Sequence, residues 1–279
     1  MRTKERYANT LTGNGSQDMK DTTMAERANV IGCEISLGSY EQMVDRILTL
    51  AANKQSSYVC CANVHMVVEA LKDEQFHEVL NQADLATPDG APLAKAIQWL
   101  HGIRQDRVAG MDLVPSLLAE AQTRDLSVFF LGDTDEVLDQ LVSKVQQDFP
   151  RLRIVGAYSP PFRKGAPEKD ETAVERVNQS GANLLFVALG CPKQEKWMAA
   201  HKGEIPACML GIGNAFRTYL GILDRAPDWM QKASMEWLYR LYQEPGRLWK
   251  RYFITNTYFV LQMVKALVIK HGKLSVFSR

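Results

Sequence analysis

The 279-residue sequence is poor in cysteine and lacks the motifs that mark several enzyme classes. Its five cysteines form no C-x-x-C pair, and an odd number argues against a disulfide framework, so we expect a reduced, cytosolic protein. The five histidines show no spacing typical of metal ligands, so we expect no metal site. A phosphate-binding P-loop and a G-x-S-x-G nucleophile elbow are also missing, which argues against P-loop and α/β-hydrolase chemistry.

The sequence also shows no signal peptide and no evident membrane span. The N-terminal segment is polar and charged and has no apolar core, so residues 1–27 are predicted to be a disordered leader. An uncharged run at residues 252–264 is shorter than the about 20 apolar residues that a spanning helix needs.

Short apolar runs alternate with amphipathic stretches from residue 28 onward. This alternation predicts an α/β fold, a Rossmann-like parallel sheet with helices on both faces. The predicted strands are 57–63, 84–90, 126–132, 152–159, 183–190 and 207–213. The predicted helices are 64–83 with one break, 91–102, 111–124, 133–149 opened by a capping box at 133–136, 168–180 and one from Lys193.

The residues that follow these strands form the candidate site, because ligands of open α/β sheets bind beyond the carboxyl ends of the strands. Glycine lets backbone N–H groups approach a ligand closely, and helix N-termini favour phosphate, so the pattern predicts a phosphate-bearing ligand. The alternative is that glycine is simply common in such turns. The residues concerned are Asn63, Asp89, Gly90, Gly132, Asp133, Gly190 to Glu195, Gly211, Gly213 and Asn214.

Four polar residues near the strand ends are candidates for chemistry. Asp89 lies in a turn at residues 87–90, where a carboxylate is placed to act as a general base, unless it only bonds its own backbone. The planar fork of Arg107 suits a phosphate, and the alternative is a weak surface ion pair. Gln194 and Glu195 lie at the start of a helix with Pro192 at its expected first position, and both are candidates to bind hydroxyls or to cap that helix.

Two further patterns are weaker. The triplet Asp133-Thr134-Asp135 is a D-x-D pattern, whose two carboxylates could hold a metal-bound nucleotide sugar. Its place at the start of a helix favours a capping role instead. The pair Gly211-x-Gly213 departs from the dinucleotide fingerprint, because Phe216 stands at the third glycine position. A nucleotide-dependent oxidoreductase is therefore the weaker alternative.

The net charge of +1 conceals an uneven distribution along the chain. Residues 1–239 carry a net −6, whereas residues 240–279 hold eight basic residues and one acidic residue, a net +7. The basic stretch is interleaved with aromatic residues and continues into the uncharged run, which suits a helix in the headgroup layer of an anionic membrane. A helix that forms a homo-oligomer is the alternative, and the long apolar run disfavours a nucleic-acid partner.

These observations predict three parts, namely the leader 1–27, an α/β body 28–222 and a helical, basic C-terminal appendage 223–279 that associates with a membrane. An enzyme that transfers a soluble, nucleotide-linked group to a lipid-bound acceptor fits this combination. A membrane scaffold without catalysis is a further alternative.

Several motifs, in order along about residues 30–251, resemble the WecG/TagA/CpsF family of glycosyltransferases. They are PDG (88–90), RVAGMDL (107–113), VFFLGD (128–133), VALGCPKQEKW (187–197), GIGNAF (211–216), RAPDWM (225–230) and MEWLYRLYQEPGRLWKR (235–251). The resemblance implies an inverting, metal-independent transferase without a cofactor. It would move N-acetylmannosamine or its uronic acid from a UDP donor to a polyprenyl-diphosphate-linked sugar, as a peripheral protein on the cytoplasmic face of the plasma membrane. Glucosyl transfer in exopolysaccharide assembly is the alternative within the family.

The resemblance also implies roles for individual residues. Asp89 would be the general base, and the substrate-binding residues would include Asn63, Arg107 and Gln194. Arg240 and Arg247 of the appendage would complete the site and contact the lipid diphosphate, with the basic Lys250 and Arg251 at the membrane.

This sequence departs from the family pattern around the predicted pocket. Cys61 replaces the threonine of a T-x-N motif, and Pro92 replaces the second glycine after the DG turn. In place of G-G-A-F-D the chain has Gly213-Asn214-Ala215-Phe216-Arg217. Because these changes lie around the predicted pocket, we expect them to affect which sugar is transferred more than which class of reaction is catalysed.

Overall fold

The computed structural model describes residues 26–161, 170–227, 229–230 and 235–276, including the side chains of all of these except Arg247 and residues 271–276. A six-stranded parallel sheet with flanking helices confirms the predicted α/β class. Nearly all of the predicted leader lies outside the described residues, as does the beginning of the helix predicted at 168–180.

The sheet brings together the strand ends on which the candidate site depends. The strands are β1 Arg27–Val30, β2 Cys33–Ser36, β3 Ser57–Ala62, β4 Leu85–Pro88, β5 Ser127–Gly132, β6 Arg153–Tyr158, β7 Leu184–Ala188 and β8 Cys208–Gly211. All pairings in the order β4-β3-β8-β7-β5-β6 are parallel, and all six predicted strands are present. Ala62 pairs with Pro88, so the residues that follow them, Asn63 and Asp89, leave the sheet side by side.

Helices cover the sheet in two layers, because the buried strands alternate their apolar side chains between two cores. The helices are α1 Tyr40–Ala52, α2 Val64–Ala70, α3 Glu74–Asn81, α4 Ala91–His101, α5 Gly110–Thr123, α6 Asp135–Asp148, α7 Glu171–Ser180, α8 Lys193–Ala200, α9 Ala215–Tyr219, α10 Glu236–Gln243 and α11 Pro245–Val276. One core joins the sheet to α2, α3, α4, α7, α8 and α11, and the other joins it to α1, α5, α6 and α9. The break predicted within residues 64–83 is confirmed between α2 and α3.

The start of α6 differs in detail from the prediction. The helix begins where expected, but its N-cap is Thr134, whose hydroxyl accepts a hydrogen bond from the N–H of Val137. Asp133 has a positive φ of 60° and binds the guanidinium of Arg217 through both carboxylate oxygens, with contacts of 2.6–3.2 Å. The predicted capping role of Asp133 is therefore wrong, because a distant arginine pairs with its carboxylate.

An antiparallel hairpin and the helix α1 precede the sheet and were not predicted. Strands β1 and β2 turn at Ile31 and Gly32, both with positive φ. The hydroxyl of Ser36 is buried and accepts a hydrogen bond from the N–H of Ala86, which fixes the hairpin beside β4. Helix α1 begins with a complete capping box of Ser39 and Gln42, a signal that was present in the sequence.

Helix α11 packs one face on the body and exposes an apolar face. Its buried residues Leu248, Thr255, Phe259 and Met263 recur at helical spacing and lie against α2 and α4. Residues 248–270 are long and apolar enough to cross a membrane by length and composition, with a mean hydropathy of 1.3. The helix thus extends well past the uncharged run on which the sequence prediction of an interfacial segment rested.

Candidate active site

Asp89 lies at the carboxyl edge of the sheet with its backbone held by two strands. Its N–H donates to the carbonyl oxygens of Ala62 at 2.7 Å and Thr87 at 2.9 Å. One oxygen of its carboxylate lies 3.5 Å from the N–H of Gly110. Burial raises the pKa of Asp89 to about 6, although the nearby charges of Arg107 and Arg240 oppose this shift. At neutral pH the carboxylate is therefore mostly ionised, as a base must be.

Arg107 joins the body to the appendage. Its guanidinium donates to Asp112 at 2.7 Å and to Glu236 of α10 at 3.0 Å. Arg225 also binds Asp112. The side chains of Arg107 and Glu236 are each only 19% exposed, so this is not the exposed surface pair that was the alternative to phosphate binding. The positive charge of Arg107 acts on Asp89, and both of its terminal nitrogens are bound to carboxylates.

A pocket lies between the body and the appendage. The body contributes Met111 of α5, next to Gly110, and Asn214, the N-cap of α9. The appendage contributes Glu236 and Arg240 of α10. Of the predicted site residues, Asn214 and Arg240 line this pocket, and the positive charges of Arg107 and Arg240 act on Asp89. Glu236 was missed, because nothing in the sequence predicted that its carboxylate would reach Arg107.

Gln194 connects the two glycine turns that follow β7 and β8. Its side-chain oxygen accepts hydrogen bonds from the N–H groups of Gly190 at 3.2 Å and Gly213 at 3.1 Å. A Cβ on Gly211 would lie 2.8 Å from Cε of Met198 and 2.9 Å from the Gln194 amide nitrogen, so a side chain there would force Met198 and Gln194 to shift. The N–H groups that the sequence analysis offered to a phosphate thus donate to Gln194, and any ligand contact of these turns stays a prediction. Pro192 occupies the N-cap of α8 and not its first helical position.

Glu195, a predicted candidate for helix capping or for binding hydroxyls, is a fully buried carboxyl group. The amide of Gln194 donates to one of its oxygens at 2.6 Å, and the other oxygen has no hydrogen-bond partner among the described residues. Burial raises the pKa of Glu195 to about 7, and the thiol of Cys191 lies beside it. This carboxyl group therefore fixes the orientation of the Gln194 amide.

We expect Glu195→Gln to remove a pH dependence from the stability of the fold. The pKa in the folded state, about 7, is above its ordinary value of 4.5, so the folded state binds more protons between these values. The contribution of Glu195 to stability therefore falls as pH rises through this window, by on the order of 3 kcal/mol. Unfolding free energies of the wild type and the variant, measured from pH 4.5 to 7.5, should diverge with pH. Parallel curves would disprove the assignment.

Asn63 and Cys61 lie on the neighbouring strand. The side-chain oxygen of Asn63 caps α2 by accepting a hydrogen bond from the N–H of Met66 at 3.1 Å, so its amide nitrogen is the group left for a ligand. Cys61 is buried beneath the site, where its sulfur would lie 3.3 Å from a Cβ on Gly110. The structure thus places Cys61 under Asp89 as a packing residue, and a direct substrate contact is not shown.

Gly132 lies at the end of β5, toward the other side of the sheet from Asp89. Its φ is +103°, and a Cβ there would lie 2.6 Å from the carbonyl oxygen of Ala188. Glycine is thus required for the close approach of β5 and β7. A role for Gly132 in ligand binding stays a prediction.

The basic residues of α11 differ in their surroundings. Lys250 is exposed, as expected of a membrane-facing residue, and the side chain of Arg247 lies outside the described part. Arg251 is half-buried, and its positive charge contributes to lowering the pKa of His65 on the body. The prediction that Arg251 faces lipid fits the structure poorly, because Arg251 shares the packed face of the helix with Leu248 and Thr255.

Metal-ligating side chains are not grouped at this edge. Within the ranges that the structure describes, no three or more His, Cys, Asp or Glu residues are arranged to hold a metal ion. The independence from metal that the family resemblance implies stays a prediction.

Comparison with known proteins supports the resemblance. The model of the "Glycosyl transferase WecG/TagA/CpsF family" matches residues 28–273. Three similar proteins carry the name N-acetylglucosaminyldiphosphoundecaprenol N-acetyl-beta-D-mannosaminyltransferase. The one from Bacillus spizizenii strain W23 is 30% identical over 81% of this chain and 84% of its own length. Those from Bacillus subtilis strain 168 and Staphylococcus aureus strain MW2 are 31% and 29% identical, over 71% and 82% of this chain and 75% and 90% of their own lengths.

These matches decide between the enzyme classes that the sequence left open. The family model covers the body, its strand-end residues and most of the appendage in a single match. An oxidoreductase and a scaffold without catalysis are accordingly set aside. The chain belongs to the WecG/TagA/CpsF family of glycosyltransferases.

Proposed function

We propose that this glycosyltransferase moves N-acetylmannosamine, or its uronic acid, from a UDP donor to a polyprenyl-diphosphate-linked sugar. The single observation that carries the proposal is the juxtaposition of Asp89 with Arg107 and Arg240 beside a pocket that body and appendage share. The relatives named above, which transfer N-acetylmannosamine to N-acetylglucosaminyl-diphosphoundecaprenol by name, support the choice of sugar and acceptor.

In the proposed mechanism Asp89 acts as the general base. Its carboxylate takes the proton from the acceptor hydroxyl while that oxygen bonds to the anomeric carbon of the donor. The bond from the anomeric carbon to the diphosphate oxygen breaks on the opposite side, and its electron pair leaves with UDP. The configuration at the anomeric carbon is therefore inverted. A partly desolvated carboxylate with a pKa near 6 supports this role, because it combines ionisation at pH 7 with adequate basicity.

Arginine side chains would stabilise the departing UDP. Arg240 is the appendage cation whose charge acts on Asp89 and which lines the pocket. Arg107 is held in place by Asp112 and Glu236, so its guanidinium is oriented before the donor arrives. Oriented cations of this kind act where charge develops in the transition state. No metal or other cofactor takes part in this proposal.

The appendage would keep the enzyme at the cytoplasmic face of the plasma membrane as a peripheral protein. Helix α11 cannot cross the bilayer while Leu248, Phe259 and Met263 stay packed on the water-soluble body. Its opposite face exposes apolar side chains, and Lys250 is exposed near its start. This arrangement supports a helix that lies in the headgroup layer next to the lipid-linked acceptor.

A panel of UDP-sugars tests the proposal directly. The full chain is incubated with each donor and a synthetic N-acetylglucosaminyl-diphosphate polyprenol, with and without EDTA. We expect transfer from UDP-N-acetylmannosamine or its uronic acid and no loss of activity with EDTA. Transfer from UDP-glucose alone would favour the alternative role in exopolysaccharide assembly. Loss of activity with EDTA that added Mg²⁺ restores would disprove metal independence.

A further inference from the structure

Glu236, which lines the pocket between the body and the appendage, has a carboxylate oxygen that no described residue satisfies. Glu236 binds Arg107 through one carboxylate oxygen, Oε2, at 3.0 Å. Its other oxygen, Oε1, is buried and accepts no hydrogen bond from any residue that the structure describes. A buried acceptor without a partner is destabilising and is rare in native structures, so it points to a group that binds there.

The chemistry of Oε1 restricts which group can bind it. Its carboxylate is paired with Arg107, shares the pocket lining with Arg240 and accepts hydrogen bonds only. The partner must therefore donate a hydrogen bond, which excludes a fully ionised phosphate. The ion pair with Arg107 also fixes the carboxylate in the pocket wall, so Oε1 is positioned before a ligand arrives.

We propose that Glu236 is a specificity-determining residue that accepts a hydrogen bond from a hydroxyl group of the transferred sugar. The inference rests on the proposed function, because it assumes that a sugar nucleotide occupies this pocket. In this arrangement Arg107 and Arg240 interact with the diphosphate, while Oε1 of Glu236 accepts a hydrogen bond from the sugar. Body and appendage must then be together for the sugar to be recognised, since Glu236 belongs to α10.

The test compares two ligands, UDP and UDP-N-acetylmannosamine, by titration calorimetry. Glu236→Gln keeps an acceptor oxygen but removes its charge, so it should raise the ratio of the Kd for the sugar nucleotide to the Kd for UDP by about 3- to 10-fold, the difference between a hydrogen bond to a charged acceptor and one to a neutral acceptor. The matched control is Asp112→Asn, which weakens the other ion pair of Arg107 but leaves the pocket acceptor intact. Its effect should be similar on both ligands, so the ratio should stay within about twofold of wild type.

Two results would overturn the inference. The first is an unchanged ratio in Glu236→Gln, and the second is an equal rise of the ratio in Asp112→Asn, which would mean that Glu236 acts only through Arg107. If Glu236→Gln fails to fold, Glu236→Asp gives the same test, because it keeps the charge but withdraws both oxygens by one methylene. A wild-type chain that binds neither UDP nor the sugar nucleotide would instead refute the proposed function.

Discussion

Replacing Asp89 with asparagine should lower kcat by about 10²- to 10⁴-fold while UDP binding stays close to wild type. Asparagine has the same shape, and the backbone bonds from residue 89 to Ala62 and Thr87 do not involve the side chain. The fold should therefore persist, whereas the group that takes the acceptor proton is lost. Turnover and UDP affinity of the purified variant check this expectation.

A control aspartate makes the result specific. Asp135 lies exposed in the first turn of α6, outside the pocket, so Asp135→Asn should keep near-normal turnover. Turnover of Asp89→Asn within a few-fold of wild type would contradict the assignment of the base.

The pH dependence of kcat/KM follows from the same carboxylate. Its pKa is about 6, and only the ionised form can accept a proton, so kcat/KM should fall about tenfold per pH unit below this value. The decline should persist in Glu195→Gln, because the charge of Glu195 is not among those that shift the pKa of Asp89. A decline that disappears in Glu195→Gln would mean that the wrong carboxylate has been identified.

Polar substitution of the exposed face of α11 should release the protein from anionic vesicles. Trp249, Phe253 and Val260 recur at helical spacing and are 59%, 71% and 55% exposed. Insertion of these side chains into the headgroup layer would each contribute about 1–2 kcal/mol, so the triple change to serine should weaken vesicle binding by about 10²- to 10⁴-fold. Flotation with vesicles of stated anionic lipid content measures the effect.

These substitutions are a sharper test than removing the appendage. Truncation would uncover the core that Leu248, Phe259 and Met263 help to fill, so a loss of binding could reflect unfolding. The control is Lys144→Gln on α6, which packs on the opposite face of the sheet and should bind vesicles normally. If the serine variant still floats but changes from oligomer to monomer in sedimentation, the helix serves self-association instead.

The fold was predictable because its strands are short apolar runs with clear ends. Each of the six sheet strands, including β5 and β7, could be located from hydrophobicity alone. The hairpin β1–β2 was missed because its strands, RANV and CEIS, mix polar and apolar residues and form no continuous apolar run, whereas β4 and β8 are fully buried strands of the same length. Helix α1 was missed although its capping box is visible at Ser39 and Gln42, so this was an oversight and not a missing signal.

The site was predictable only in part, because its contacts join residues far apart in the chain. Asp89 and Arg107 could be named from strand ends and motifs. The pairing of Arg107 with Glu236, 129 residues later, could not be read from any local pattern. The same holds for Asp133 with Arg217, where the arginine stands in place of the family's aspartate. The charged residues of the sequence therefore indicated where the site lies, but the sequence did not indicate which charged residues form ion pairs with one another.

We expect Asp89 to drive an inverting transfer onto a lipid-linked sugar. This is measured by the anomeric configuration of the product formed from UDP-α-N-acetylmannosamine and N-acetylglucosaminyl-diphosphate polyprenol on anionic vesicles, determined by NMR. The wild-type chain should give a β-linked product, and Asp89→Asn should give almost none. An α-linked product, or the same product at the same rate from both chains, would show that Asp89 does not act in this way.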